Sequence, residues 1–296
     1  MQDVVIDVGA NRGDFGLDVA ERNRDVQVLA FEPIPQLSAD IVAAAAARGL
    51  DNLSVIEAAA DSEARTATFH VADHEDLGVS SLLQFDQASI TKDEYWHTRT
   101  DLYYDRAIEV AVVRLDSVPA IQQARRIRFI KIDAQGVDVP ALESLGEYLP
   151  KVEAGMLEVP ATHESRIYAD EVYDLQSAMN RLQSLGFRVY AIKPNDHAMK
   201  EVNLFFCRQD VDWQELERDL HLRGIALYDG KHFWHSPADH LLPDAALADQ
   251  ERILNRLRDV EAALARECNE TRRLNAAVVE RDRTILHFQT MLTQLR

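Results

Sequence analysis

Two carboxylates and two glycines near the amino end carry the strongest chemical signal in this chain. Asp7 lies in the apolar run Val4-Val5-Ile6-Asp7-Val8, which leads into Gly9-Ala10-Asn11-Arg12-Gly13, and Glu32 closes the next apolar run, Leu29-Ala30-Phe31. An apolar strand that enters a glycine-bearing turn and then opens a helix brings backbone amides up to a bound ligand. In a dinucleotide fingerprint the glycines fall as G-x-G-x-x-G, and the middle one lets the backbone close on a pyrophosphate. Asn11 stands at that middle place here. An acid just ahead of the turn suits a cofactor with a cationic amino-acid end, and S-adenosylmethionine is that cofactor. Glu32 is then placed to accept from two ribose hydroxyls with its two oxygens. The bland alternative is that Gly9 and Gly13 simply make a tight strand-to-helix turn.

A second group lies at Lys131-Ile132-Asp133-Ala134-Gln135-Gly136, with Glu158 at the end of a following apolar run. Methyl transfer from a sulfonium is an in-line substitution, so the acceptor oxygen must be positioned and its proton taken up. Asp133 is the candidate base or orienting group, with Lys131 tuning it or touching the acceptor, and Glu158 can take the same role. The competing reading is an internal Lys131–Asp133 or Lys131–Glu158 ion pair that only holds the sheet. Asp7, Gly9, Asn11 and Gly13 are expected around the cofactor, Glu32 on its ribose and Asp61 near its adenine. Asp61 opens the polar turn Asp61-Ser62-Glu63, so a turn-capping role competes. Ser80 and Ser81 are candidates for the acceptor pocket and His163 for proton transfer. His232, His235 and His240 are loosely metal-like in spacing but lack matching ligands, and no metal site is expected.

The elements that must hold these residues alternate as strand and helix, the pattern of a parallel sheet. Apolar runs at Val4–Val8, Val26–Phe31, Leu53–Ala58, Phe129–Ile132 and Gly155–Val159 predict strands buried on both faces. Gly49 ends an Ala-rich helix over Ser38–Arg48. Residues Thr66–Val71 and Ala107–Val113 predict further strands around a polar insertion. A helix over Val172–Leu185 stops at Gly186, and Phe187–Ile192 and Glu201–Phe206 predict a closing hairpin that adds an antiparallel strand. The expected fold is α/β, a Rossmann-like class I methyltransferase sheet, with a C-terminal coiled-coil helix.

Taken in order, Asp7–Gly13, Phe31-Glu32-Pro33, Ala59-Ala60-Asp61, Ser80-Ser81-Leu82, Val113–Val118, Phe129–Gly136 and Leu157-Glu158-Val159 resemble the FkbM family of methyltransferases, from about Val4 to about Arg208. The resemblance implies S-adenosylmethionine-dependent methylation of an oxygen, commonly on a sugar or a hydroxylated secondary metabolite. Similar proteins often carry Glu where this chain has Gln135. A neutral amide keeps hydrogen bonding but removes a charge, which puts a metal-ligand or base role at that position in doubt. The covering helices that usually precede the first strand in such folds are absent from this sequence.

The chain has 296 residues and 47% hydrophobic composition, enough for one sizeable α/β domain and an appendage. Its formal charge of -18 argues against a nucleic-acid partner, which needs a concentrated basic face. Cys207 and Cys268 are too few for a disulfide framework, and no apolar run or signal segment marks a membrane span; a cytoplasmic protein is expected. The expected division is a methyltransferase domain over 1–208, a covering or lid segment over 209–249 and a coiled-coil helix over 250–296. Ile253, Leu257, Val260, Leu264, Leu274, Val278, Ile285, Phe288, Leu292 and Leu295 make a heptad seam, with Glu267, Thr271 and Arg281 interrupting its register. That seam predicts a homo-oligomer or a partner helix. The functional expectation is an O-methyltransferase acting on a hydroxyl of a glycan or glycosylated metabolite. The alternative is a catalytically idle methyltransferase-like domain serving as a coiled-coil assembly module. A nicotinamide oxidoreductase is disfavoured by Asn11 and by the closing hairpin.

Overall fold

The computed structural model describes residues 2–73, 77–196 and 198–230. The heptad seam, the coiled-coil segment and the histidines at 232, 235 and 240 lie outside the described residues. In chain order the elements are β1 (Asp3–Val8), α1 (Asp14–Arg22), β2 (Gln27–Phe31), α2 (Pro35–Ala47), β3 (Leu53–Ile56), β4 (Ala59–Ala60), β5 (Arg65–Val71), α3 (Gln87–Lys92), β6 (Arg106–Val113), α4 (Pro119–Gln123), β7 (Arg126–Ile132), α5 (Asp138–Glu143), β8 (Val152–Pro160), α6 (Leu175–Ser184), β9 (Phe187–Pro194), β10 (Glu201–Arg208), α7 (Trp213–Asp219) and α8 (Ala226–Asp229).

Seven strands form the main sheet in the order β3-β2-β1-β7-β8-β10-β9. The pairs from β3 to β8 are parallel, whereas β10 runs antiparallel to both β8 and β9. This is the Rossmann-like methyltransferase sheet expected from the alternating pattern and the closing hairpin. The apolar run at 53–58 behaves differently from the single strand expected. Its first four residues join β2, a turn closes as the Ala58 amide donates to the Ile56 carbonyl, and Ala59–Ala60 leave to pair with β6. Strands β4, β6 and β5 make a separate three-stranded sheet.

Burial on both faces explains why the central strands read as continuous apolar runs. On one face Phe15, Leu17 and Val19 of α1 pack with Phe129 and with Leu216, Leu220, Ile225 and Tyr228 of the chain after β10. On the other, Ile121, Val139, Leu142, Ala178 and Leu182 pack over Ile6, Ile130 and Leu204. Helix starts follow local chemistry. Asp174 and Ser177 form a reciprocal capping box at α6, and Asp212 accepts from the Gln214 and Glu215 amides at α7. Gly155 sits where β7 and β8 close tightly, because a Cβ there would lie 2.5 Å from the Ile130 carbonyl oxygen. The order in which strands are added reverses between β1 and β7, which stay parallel, so their carboxyl ends border the crevice in which open α/β sheets bind ligands.

Candidate active site

A cleft opens at those carboxyl ends. Gly9, Asn11, Glu32, Asp133 and Gln135 form its polar wall, and Ile34, Leu37, Ala59, Phe69 and Leu82 are among its apolar residues. Strand ends are pinned together beneath it. The Gly9 and Ala10 amides both donate to the Phe31 carbonyl, and the Asp133 amide donates to Val8. Gly9 has φ +69, and a Cβ there would stand 1.9 Å from the Asp133 carbonyl oxygen. Only glycine fits that approach. Gly13, at φ 81, is the N-cap of α1 and leads the chain into the helix.

Glu32 is 4% exposed and binds the turn on both sides. One oxygen accepts from the Asn11 amide at 2.7 Å and the other from the Ile34 amide at 2.8 Å. Burial pushes this carboxyl up to about 7, against the pull of those two amides. Asn11 adopts φ 53, and its side-chain oxygen is buried with no hydrogen-bond partner in the protein. A buried acceptor left open on a cleft wall is matched by an incoming N–H donor.

Asp7 and Lys131 sit elsewhere than expected. They are register partners across the parallel β1 and β7 pair, so both side chains turn to the same side and meet. Lys131 Nζ lies 3.1 Å from Asp7 Oδ1, and the two side chains are 2% and 0% exposed. Nζ also donates to the Gly9 carbonyl at 2.8 Å, and Asp7 Oδ2 accepts from the Gly16 amide at 3.1 Å. Neither residue lines the cleft. Burial works against the ammonium, but Asp7 and Asp133 outweigh it and hold Lys131 above its ordinary range. A lysine held protonated in this way cannot take a proton, so it serves as a clamp under the glycine turn.

Asp61 is also turned away from the cleft. One oxygen accepts from the Ser62 amide at 2.6 Å and the other pairs with Arg65 at 2.7 Å, while its neighbours Ala58, Ala59 and Ala60 line the cavity. The turn-capping alternative describes its geometry. Exposed His163 lies in a short turn, His163–Ser165, and lines neither cavity described here.

Asp133 faces the cleft with its side chain 27% exposed. Strand β7 ends at Ile132, so Asp133 escapes the alternation that buries Lys131. Glu158 instead lines a neighbouring cavity of about 180 Å³ with Asp138, Tyr168, Glu171 and Glu201. Gln135 borders both cavities. Burial pushes Asp138 up to about 7 and Glu171 up to about 9. Asp138 ties the two strand ends together by accepting from the Ala134 and Glu158 amides.

Sequence reasoning missed the cap. Four rings stack in succession: His70 on Tyr104 at 5.1 Å, Tyr104 on Phe85 at 4.2 Å, and Phe85 on Tyr168 at 5.4 Å. Trp96 fastens the insertion to the later loop by donating to the Ser165 carbonyl at 2.8 Å. Ser80 lines the cleft, and Ser81 donates to the Gln135 carbonyl at 2.6 Å. The excess of aromatic residues at Phe85, Tyr95, Trp96, Tyr103 and Tyr104 was a legible sign of a small core of their own.

A family model described as "Methyltransferase FkbM domain" matches residues 7–195, which include this glycine turn, the cap, Asp133 and Glu158. The chain belongs to the FkbM methyltransferase family. No curated protein sequence matches it. Solved structures similar to this FkbM chain include precorrin-6y C5,15-methyltransferase from Geobacter metallireducens, at 14% identity over 70% of this chain and 81% of that one, with a TM-score of 0.35. A SAM-dependent methyltransferase from Aquifex aeolicus aligns at 13% identity over 69% and 82%, TM-score 0.35. Ribosomal protein L11 methylase from Lactobacillus delbrueckii subsp. bulgaricus aligns at 9% over 70% and 71%, TM-score 0.35. S-adenosylmethionine is the cofactor of this methyltransferase family, and the cleft fits it. The open acceptor on Asn11 suits an ammonium group, the Glu32 carboxylate suits ribose hydroxyls, and the apolar side near Ile34, Leu37 and Phe69 suits an adenine ring. Among the described residues no cluster of His, Cys, Asp and Glu could hold a metal ion, and no helix is long and apolar enough to cross a membrane.

Proposed function

We propose that this FkbM protein methylates a hydroxyl oxygen of a glycan or glycosylated metabolite. The observation that carries the reading is Asp133, a cleft-lining acid whose backbone packs against the Gly9 turn. S-adenosylmethionine, when bound, supplies an electrophilic methyl on a sulfonium. Asn11 and Glu32 would hold its amino-acid and ribose ends, and Asp133 would take up the proton that the acceptor hydroxyl gives up on methylation. The acid-rimmed side cavity with Glu158 supports a polyol, since hydroxyl donors satisfy carboxyl oxygens without bringing a competing charge. Lys131 and Asp7 act from below by fixing the Gly9 carbonyl.

Transfer of a labelled methyl to a panel of hydroxylated glycans, compared with matched amines, tests this reading. Alkali-stable labelling of the glycans, lost in Asp133→Asn while S-adenosylhomocysteine still binds, is the expected result. Labelling of amines alone would refute oxygen transfer.

A further inference from the structure

Gln135 is held in a conformation that side chains rarely adopt, with φ 51, and is followed by Gly136 at φ 96. A left-handed residue with a Cβ is strained and persists where its surroundings over-determine it. Three short hydrogen bonds do so here. Ser81 donates to the Gln135 carbonyl, Gln135 Nε2 donates to Asp133 Oδ1 at 2.6 Å, and Tyr168 donates to Gln135 Oε1 at 2.6 Å. Gly136 lets the cap close on this turn, since a Cβ there would meet Leu83 at 2.8 Å.

Amide orientation is dictated by its neighbours. An ionised carboxylate has no proton to give, so the NH₂ end of Gln135 must face Asp133. Its oxygen then faces Tyr168, whose hydroxyl proton has Gln135 at 2.6 Å and the Val79 carbonyl at 3.1 Å as acceptors. Polarity runs one way, from hydroxyl to amide to carboxylate. Each bond in such a chain strengthens the next.

We propose that Gln135 and Tyr168 are positioning residues that orient the Asp133 side chain as the proton acceptor, engaging Oδ1 and leaving proton uptake to Oδ2. The inference rests on the reading of Asp133 as the proton acceptor. It assigns the neutral amide a purpose: a carboxylate at 135 would face Asp133 at hydrogen-bond distance, and two carboxylates so close must share a proton. Other ionisable groups around Asp133 are Lys131 of β7, whose Nζ lies 3.7 Å from Oδ2, Asp7 of β1, Asp138 of α5 and Glu201 of β10, whose charged forms Asp133 disfavours, and Glu158 on the neighbouring rim. Gln135 supplies the hydrogen bond to Asp133 Oδ1, and Tyr168 holds the other end of that amide.

The test is a pH titration of the Asp133 side-chain carboxyl by carbon NMR in the full-length protein, its resonance assigned by its loss in Asp133→Asn. Gln135→Glu is expected to raise the midpoint by at least one unit and split it into two steps, and Tyr168→Phe to raise it by a smaller amount. An unchanged midpoint in both variants would overturn the relay. Should Gln135→Glu fold poorly, the exchanged pair Asp133→Asn with Gln135→Glu restores one amide facing one carboxylate. Recovery of the wild-type melting temperature is expected, and failure to recover it refutes the contact. Calorimetry with S-adenosylhomocysteine separates the two claims: wild-type protein that shows the titration pattern without binding the product sinks methyl transfer and spares the relay.

Discussion

Lys131→Met removes the cation of a buried pair and leaves Asp7 with one backbone donor, the Gly16 amide. Both side chains are at most 2% exposed, so solvent screening does not discount the loss. Breaking such a pair by deleting one partner costs about 3–5 kcal/mol, because the remaining charge stays buried without compensation. The Gly9 carbonyl loses its 2.8 Å donor as well. For a domain of this size, about 2–4 °C of melting temperature accompanies each kcal/mol, giving a fall of roughly 6–20 °C. Urea unfolding of wild type, Lys131→Met, Asp7→Asn and the double variant measures both the single losses and their coupling. The double variant is expected to be less destabilised than the sum by at least about 1 kcal/mol, as for residues in one network. A Lys131→Met protein within about 1 kcal/mol of wild type but devoid of methyl transfer would refute the clamp and return Lys131 to the acceptor side.

Gly9→Ala is expected to weaken S-adenosylhomocysteine binding at least tenfold by calorimetry, since its Cβ can be accommodated only by moving the Asp133 turn. Glu32 couples pH to stability and to product binding in opposite directions. Its folded-state value near 7 lies above the ordinary 4.5, so the ligand-free protein holds the extra proton between those values and loses stability as pH rises through them, by roughly 3 kcal/mol at 1.36 kcal/mol per unit. Asp138 and Glu171, also raised, act in the same direction, and thermal melts from pH 5 to 9 should decline. Product binding should instead strengthen as pH rises through about 7, and Glu32→Gln should flatten that dependence. Asp133→Asn is expected to retain product binding while transfer falls about 10²–10⁴-fold, the usual contribution of a general base.

Local patterns were the readable part of this protein. Val4–Gly13 declares a strand, a turn and a helix within a dozen residues, and Glu32 follows at the next strand end, so the cofactor side needed no distant partner. The hairpin of β9 and β10 was legible for the same reason, through its two apolar runs and the turn between them. What could not be read depends on register between distant strands. Asp7 and Lys131 look like exposed chemistry in sequence because each adjoins a turn, yet the β1–β7 register faces them to one another across 124 residues of chain. Tyr168 reaches Gln135 through an irregular return after β8, and no periodicity announces such a contact. Asp61 was a nearer miss, since its partner Arg65 is four residues away. Splitting of the 53–60 run between two sheets follows from one backbone turn at Ala58, too small a signal for an apolar stretch to reveal.

A crystal of the protein with S-adenosylhomocysteine bound shows which carboxylate the sulfur faces. The expected result places the amino-acid end at Asn11, the ribose hydroxyls on Glu32 and the sulfur facing Asp133. A product molecule whose sulfur faces Glu158 with Asp133 behind it, or one that leaves Asn11 and Glu32 untouched, would contradict the assignment.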